Sequence, residues 1–144
     1  MPLAEPVAAV PAPEPPVPVQ APRSRVLVVD NDADVLRGMQ ALLGGWGCEV
    51  LAARDGREAQ ARLAGQPPPD LLLLDFHLDG DRTGLQLREE LGPAYAGIPC
   101  VIITADHSAA VRDAVTAAGC LLLHKPLKPL ALKSAMSRLL PRRG

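Results

Sequence analysis

The chain has 144 residues, in which 15 lysines and arginines stand against 16 aspartates and glutamates, for a formal net charge of -1. That length suits one domain with an attached tail and leaves little room for two domains. The balanced charge argues against a nucleic-acid-binding surface and against a polybasic membrane patch.

The N-terminal segment is rich in proline. Half of the 16 prolines lie between Pro2 and Pro22, where large aliphatic side chains are scarce. Such a segment cannot bury enough apolar surface to offset the entropy lost when it orders. We therefore predict a disordered or polyproline-II linker over residues 1–23, one domain over residues 24–141, and a short tail over residues 142–144.

Strand and helix patterns alternate five times after the linker. Apolar runs predict strands over residues 25–29, 48–52, 70–74, 99–104 and 120–124. A helical pattern follows each run, and these patterns begin near Asp34, Asp55, Thr83, Ser108 and Pro129. Repeated strand–helix units with continuously apolar strands indicate a parallel sheet that is covered on both faces. The predicted fold is a doubly wound, five-stranded α/β domain.

Polar residues stand at the points where the apolar strands end. In doubly wound sheets, ligands bind at the carboxyl ends of the strands, near the point where the strand order reverses. The residues at these ends are two acids, an amide, a hydroxyl and an ammonium, namely Asp30, Asn31, Asp75, Thr104 and Lys125. We expect them to form one site.

The acids of this site predict a metal ion. Neighbouring carboxylates repel one another, and a hard divalent cation relieves that repulsion. Mg²⁺ takes oxygen ligands and keeps several waters, which suits Asp30, Asp75 and a backbone carbonyl such as that of His77. A carboxylate beside Mg²⁺, with Lys125 and Thr104 opposite, also fits a phosphoryl acceptor.

These residues resemble those of a known family, the receiver domains of two-component response regulators, over about residues 25–140. The resemblance implies a flavodoxin-like fold, a single domain that signals by phosphorelay, and a conformational switch on phosphorylation. By position it implies Asp75 as the phosphoacceptor, Thr104 as the switch hydroxyl and Lys125 as the phosphate-binding lysine. It also places Asp30 and Asn31 in the Mg²⁺ site. The donor would be a histidine kinase or a histidine phosphotransfer domain, and any enzymatic activity would be limited to self-phosphorylation and self-dephosphorylation.

The chain departs from the family pattern at two positions. Asn31 stands where many receivers have a second acid, and its amide oxygen can coordinate a metal only without a charge. Leu122 stands where many receivers have an aromatic residue that changes rotamer on activation. The strings Val29-Asp-Asn-Asp32 and Asp75-Phe-His-Leu78 look most like the C-terminal receivers of hybrid sensor histidine kinases. We therefore expect a fragment of such a kinase.

Other interpretations stay open. A degenerate receiver that binds partners without phosphorylation is the main alternative, because of Asn31. The motif Asp75-x-His77-x-x-Gly80 also fits cobalamin-binding domains, but those carry it after the first strand and need a later Gly-Gly. Asp32 is interpreted as a helix cap rather than a ligand. No dinucleotide-binding or phosphate-loop motif is present.

The cysteines and the hydropathy predict where the chain acts. Cys48, Cys100 and Cys120 are odd in number and widely spaced, which is typical of free buried thiols in a reducing compartment. No apolar run approaches the ~18 residues that a membrane span needs. We expect a cytoplasmic protein with no membrane contact by this segment and no nucleic-acid partner. A homodimer is left open.

Overall fold

The computed structural model describes residues 24–140, so the predicted linker and tail lie outside the described residues. Five strands alternate with five helices. The elements are β1 Arg25–Val29, α1 Ala33–Gly45, β2 Glu49–Ala53, α2 Gly56–Leu63, β3 Leu71–Asp75, α3 Gly84–Glu90, β4 Cys100–Thr104, α4 Ala109–Ala117, β5 Leu121–His124 and α5 Pro129–Leu139. Between residues 24 and 140, none of the helices has the length and apolar character needed to cross a bilayer.

The five strands form one parallel sheet in the order β2-β1-β3-β4-β5. β1 pairs with β2 on one side and with β3 on the other, so the chain moves outward from β1 in both directions. The order therefore reverses between β1 and β3. In a doubly wound sheet, such a reversal leaves a crevice at the carboxyl ends of the two strands. The predicted fold class is confirmed.

Helices cover both faces of the sheet. α1 and α5 pack on one face, and α2, α3 and α4 pack on the other. Every residue of β3 and β4 is buried. This burial on both sides explains why these strands show a continuous apolar run instead of an alternating one. The same packing holds the polar residues at the strand ends in fixed positions.

Side chains cap the starts of four helices by accepting backbone N–H groups that have no partner within the helix. The capping residues are Asp32, Asp55, Thr83 and Ser108. Asp55 has only half of a capping box. Asp55 accepts from the Glu58 N–H at 2.9 Å, but the Glu58 carboxylate accepts from the Arg54 N–H instead of that of Asp55.

The predicted strand boundaries agree with the structure to within one residue. The last four strands each begin one residue later than predicted. Asp70, just before β3, is bonded to the start of β1: its N–H donates to the Arg25 carbonyl at 2.7 Å, and its carboxylate accepts the Arg25 N–H at 2.8 Å. A short 3₁₀ helix over Pro93–Tyr95 was not predicted, and it follows Gly92, whose φ is +99°.

Candidate functional site

Two buried acids stand side by side at the strand-order reversal. Asp30 follows β1 directly, and Asp75 is the last residue of β3. The register pairs Val29 with Leu74, which brings the two acids level with each other. Only 3% of Asp30 and 6% of Asp75 is exposed. Two carboxylates in so little water need a nearby positive charge.

Lys125 supplies that charge. Its Nζ lies 3.0 Å from Oδ2 of Asp30 and 3.3 Å from Oδ2 of Asp75. The lysine follows β5, and its backbone N–H donates to the Thr104 carbonyl at 2.9 Å, so the ladder continues one residue past the strand. The following Lys125–Pro126 peptide bond is cis. One ammonium faces two carboxylates, so the three side chains carry a net negative charge when all are ionised.

The excess of negative charge shifts the pKa values of the site. Burial raises the pKa of the Asp75 carboxyl, and the charge of Asp30 raises it further. Lys125 and the backbone N–H of His77 oppose this rise only in part. Burial alone would lower the pKa of Lys125, but the hydrogen bond to Asp30 and the charges of both acids raise it overall. The lysine therefore stays protonated, and the crevice favours an added cation.

Thr104 brings a hydroxyl to the same edge of the sheet. It ends β4, next to β3, and only 1% of it is exposed. Its Oγ1 accepts the N–H of Asp106 at 3.0 Å. Asp106 in turn accepts from the Ser108 N–H at 2.9 Å and pairs with Nε2 of His77 at 3.1 Å. The hydroxyl is thus tied to the loop that leads into α4.

Asn31 and His77 lie at the mouth of the crevice. The Asn31 amide nitrogen donates to Oδ1 of Asp79 at 3.0 Å, and the amide oxygen is the atom that could meet a metal. His77 and Thr83 form an isolated antiparallel β-bridge. Its backbone hydrogen bonds are made by the flanking residues Phe76 and Leu78, so the His77 carbonyl is not used in the bridge.

The donor set of the crevice fits Mg²⁺ better than a softer metal. It consists of carboxylate, amide and main-chain oxygens, which are the ligands of hard cations. Within residues 24–140, no group of three or more His, Cys, Asp or Glu side chains is placed to hold a metal. Mg²⁺ is commonly bound by one or two carboxylates and completed by water.

Gly84 is a site residue that the sequence reasoning missed. A Cβ at this position would lie 2.5 Å from the backbone oxygen of Asp75 and 3.0 Å from Cβ of Leu74. The Gly84 N–H also donates to the Phe76 carbonyl at 2.9 Å. Only glycine lets α3 approach the end of β3 so closely. The available signal was the pair Thr83-Gly84 at a helix start, eight and nine residues after the acid.

The sequence profile of the response regulator receiver domain family matches residues 26–137. The chain belongs to this family. It is similar to the transcriptional regulatory protein ZraR of Escherichia coli K12, with 36% identity over 105 residues that cover 73% of this chain and 23% of ZraR. It is also similar to the transcriptional regulatory protein PrrA of Mycobacterium tuberculosis, with 36% identity over 121 residues, or 83% of this chain and 51% of PrrA. The chain therefore spans from about a quarter to about half of these relatives.

Solved receiver structures share the fold. Chemotaxis protein CheY4 of Vibrio cholerae superposes with a TM-score of 0.73 and 27% identity, covering 83% of this chain and all of CheY4. A putative response regulator from Chloroflexus aurantiacus gives a TM-score of 0.74 and 29% identity, covering 84% of this chain and all of that one. The resemblance to receiver domains is confirmed, and with it the assignment to two-component signalling.

Proposed function

We propose that this receiver domain takes a phosphoryl group from a phosphohistidine onto Asp75, with Mg²⁺ as cofactor, and that a histidine kinase or a histidine phosphotransfer domain is the donor. The observation that carries the proposal is the Lys125 ammonium, which bridges two acids that are almost fully buried. A carboxylate that is paired with a lysine usually has only a structural role. Here the pKa of Asp75 is raised despite the lysine, so the acid destabilises the fold that holds it.

The proposed metal ligands are the carboxylates of Asp30 and Asp75, the His77 carbonyl and the Asn31 amide oxygen. When bound, Mg²⁺ would offset the negative charge of the transferring phosphoryl group. The protein's own residues position the groups that react. Asp30 holds Lys125 at the rim of the site, and the ends of β1 and β3 fix the two acids.

In the transfer, an Asp75 carboxylate oxygen bonds to phosphorus while the phosphorus–nitrogen bond of the phosphohistidine breaks. The new acyl phosphate carries negative oxygens that Lys125 and Thr104 are placed to meet. A rotation of the Thr104 side chain towards them would weaken the contact in which its oxygen accepts the Asp106 N–H. We infer that this exchange moves the loop that leads into α4, and that this movement is the switch.

Phosphorylation of the isolated chain tests the proposal. Incubation with Mg²⁺ and acetyl phosphate, or with a phosphorylated histidine kinase, should add one acid-stable, base-labile phosphate in an intact-mass spectrum. Asp75→Asn should remove it. Asp32→Asn is the matched control, because it changes the neighbouring acid while keeping a good helix cap, and it should label like the parent.

The outcome also separates the two interpretations of the chain. Equal labelling of Asp75→Asn and the parent would rule out Asp75 as the acceptor. A parent that accepts no phosphate from either donor would favour the alternative, a degenerate receiver that binds partners without phosphorylation.

Replacing Asn31 with aspartate should strengthen Mg²⁺ binding, because a carboxylate attracts a dication more strongly than an amide does. Without metal, the new charge would face Asp79 in place of the present hydrogen bond and would add to the repulsion in the crevice. We expect Asn31→Asp to melt lower than the parent with chelator and to gain more from excess Mg²⁺.

A double variant separates these two effects. Asn31→Asp with Asp79→Asn should recover part of the loss seen with chelator while keeping the larger metal gain. Melting temperatures of Asn31→Asp that follow the parent in both conditions would place residue 31 outside the metal site.

We further propose that the chain is part of a hybrid histidine kinase and that it acts in the cytoplasm. A homodimer stays an open alternative. The coding sequence upstream of Met1 tests the first, since a histidine kinase core in the same frame would support it.

A further inference from the structure

Two cysteines face each other at the end of the sheet that is remote from Asp75. Cys100 is the first residue of β4, and Cys120 directly precedes β5. Because Val101 pairs with Leu121, the two cysteines stand level on neighbouring parallel strands. Both side chains pack into the layer between the sheet and helices α2, α3 and α4.

The spacing of neighbouring strands suits a cross-link. Strands in a sheet lie about 4.8 Å apart, which falls within the Cα separation of roughly 4.4–6.8 Å that disulfides span. Both thiols are free in this structure. Cys100 is buried, whereas Cys120 is half-buried. A small oxidant can therefore reach Cys120 before it reaches Cys100.

A guanidinium lies beside the pair. Arg88 donates from Nη1 to the Ala118 carbonyl and from Nη2 to the Ala96 carbonyl, each at 3.2 Å. Among the described residues, the buried Nε of Arg88 has no hydrogen-bond partner. A positive charge next to a partly exposed thiol is the usual setting of a reactive cysteine.

The two thiols differ in their pKa values. A hydrogen bond from Cys100 lowers the pKa of Cys120 to about 7, and the charge of Arg88 helps to lower it, although burial works against them. The same hydrogen bond, together with burial, raises the pKa of Cys100 far above its ordinary value. At neutral pH a substantial fraction of Cys120 is thus thiolate, whereas Cys100 stays protonated.

We propose that Cys100 and Cys120 form a reversible disulfide when the domain meets a peroxide, which makes this end of the sheet a thiol-oxidation site separate from the phosphorylation site. The Cys120 thiolate attacks one peroxide oxygen, so that a sulfur–oxygen bond forms, the oxygen–oxygen bond breaks and hydroxide leaves. The Cys100 sulfur then attacks the Cys120 sulfur. The sulfur–oxygen bond breaks, and water leaves with the thiol proton. Two thiols lose two electrons, and the peroxide is reduced to water and hydroxide.

Oxidation of the full chain tests this. After graded hydrogen peroxide and alkylation of the remaining thiols, we expect a product that is two hydrogens lighter and alkylated once, at Cys48. Peptide mapping should give a Cys100–Cys120 link that a dithiol reductant removes. Cys48→Ser should oxidise like the parent, whereas Cys120→Ser should form no internal link. A link through Cys48, or conversion of Cys120 to a sulfinic acid while Cys100 stays alkylatable after unfolding, would overturn the proposal.

A second variant tests the supporting thiol by rate. Cys100→Val keeps an apolar side chain of similar size in the core but removes the hydrogen-bond donor. With iodoacetamide at pH 7, Cys120 in this variant should react roughly tenfold more slowly than in Cys48→Ser, because its thiolate fraction falls. Equal rates would show that Cys100 does not activate Cys120, and would overturn the assignment of Cys120 as the attacking thiolate.

Discussion

Replacing Gly84 with alanine should lower the free energy of unfolding by about 3 kcal/mol, near the top of the usual range for an overpacked site. The added Cβ would lie 2.5 Å from the Asp75 backbone oxygen, a separation that neither backbone can tolerate. Either α3 or the end of β3 must move. Because β3 ends in the proposed acceptor, Asp75, we also expect slower phosphorylation. Urea titration followed by far-UV circular dichroism measures the loss of stability.

Gly38→Ala is the matched control. Gly38 lies inside α1 on an exposed surface, and a Cβ there meets nothing within 4 Å. Alanine should stabilise this helix by about 0.8–1 kcal/mol. The same chemical change is therefore expected to have opposite signs at the two positions. A Gly84→Ala protein as stable as the parent would show that α3 can shift away from β3 at little cost.

The strand ends could be predicted from sequence because each is marked by an abrupt change from apolar to polar residues. Four leucines run directly into Asp75, and two valines run into Asp30, so a buried strand must stop at a polar residue in each case. Parallel strands then bring their carboxyl ends to one edge, whatever the helices do. This explains why the fold and the crevice residues follow from local patterns and one topological rule.

Pairings made by loops could not be predicted in this way. Asn31 donates to Asp79 across 48 positions, and His77 reaches Asp106 across 29. Each pairing depends on how two loops approach one another, and no periodicity records that. The proximity of Cys100 and Cys120 is only partly predictable from sequence, because it follows from strand register once the sheet order is known. The sequence alone suggested only free thiols.

Without metal, Asp75→Asn should be more stable than the parent, although it loses the proposed function. Burial and the charge of Asp30 raise the pKa of Asp75 in the folded state, so its ionised form opposes folding at neutral pH. As the pH falls from neutral towards the ordinary value of 3.8, the folded parent takes up this proton before the unfolded chain does. The difference in melting temperature between Asp75→Asn and the parent should therefore shrink on acidification. A difference that stays constant with pH would contradict a raised pKa for Asp75.

Magnesium should reverse that order of stability. A ligand at 100 times its dissociation constant stabilises the folded state by about 2.7 kcal/mol, which for a domain of this size raises the melting temperature by about 10 °C. We expect this gain in the parent and little of it in Asp75→Asn, because one of the two charged ligands is gone. Asp32→Asn, in which only the capping acid changes, should keep the full gain. The apo crevice is destabilised for the same reason that we expect it to bind a cation: two buried carboxylates share one lysine. Equal magnesium gains in the parent and Asp75→Asn would break that link and place the ion elsewhere.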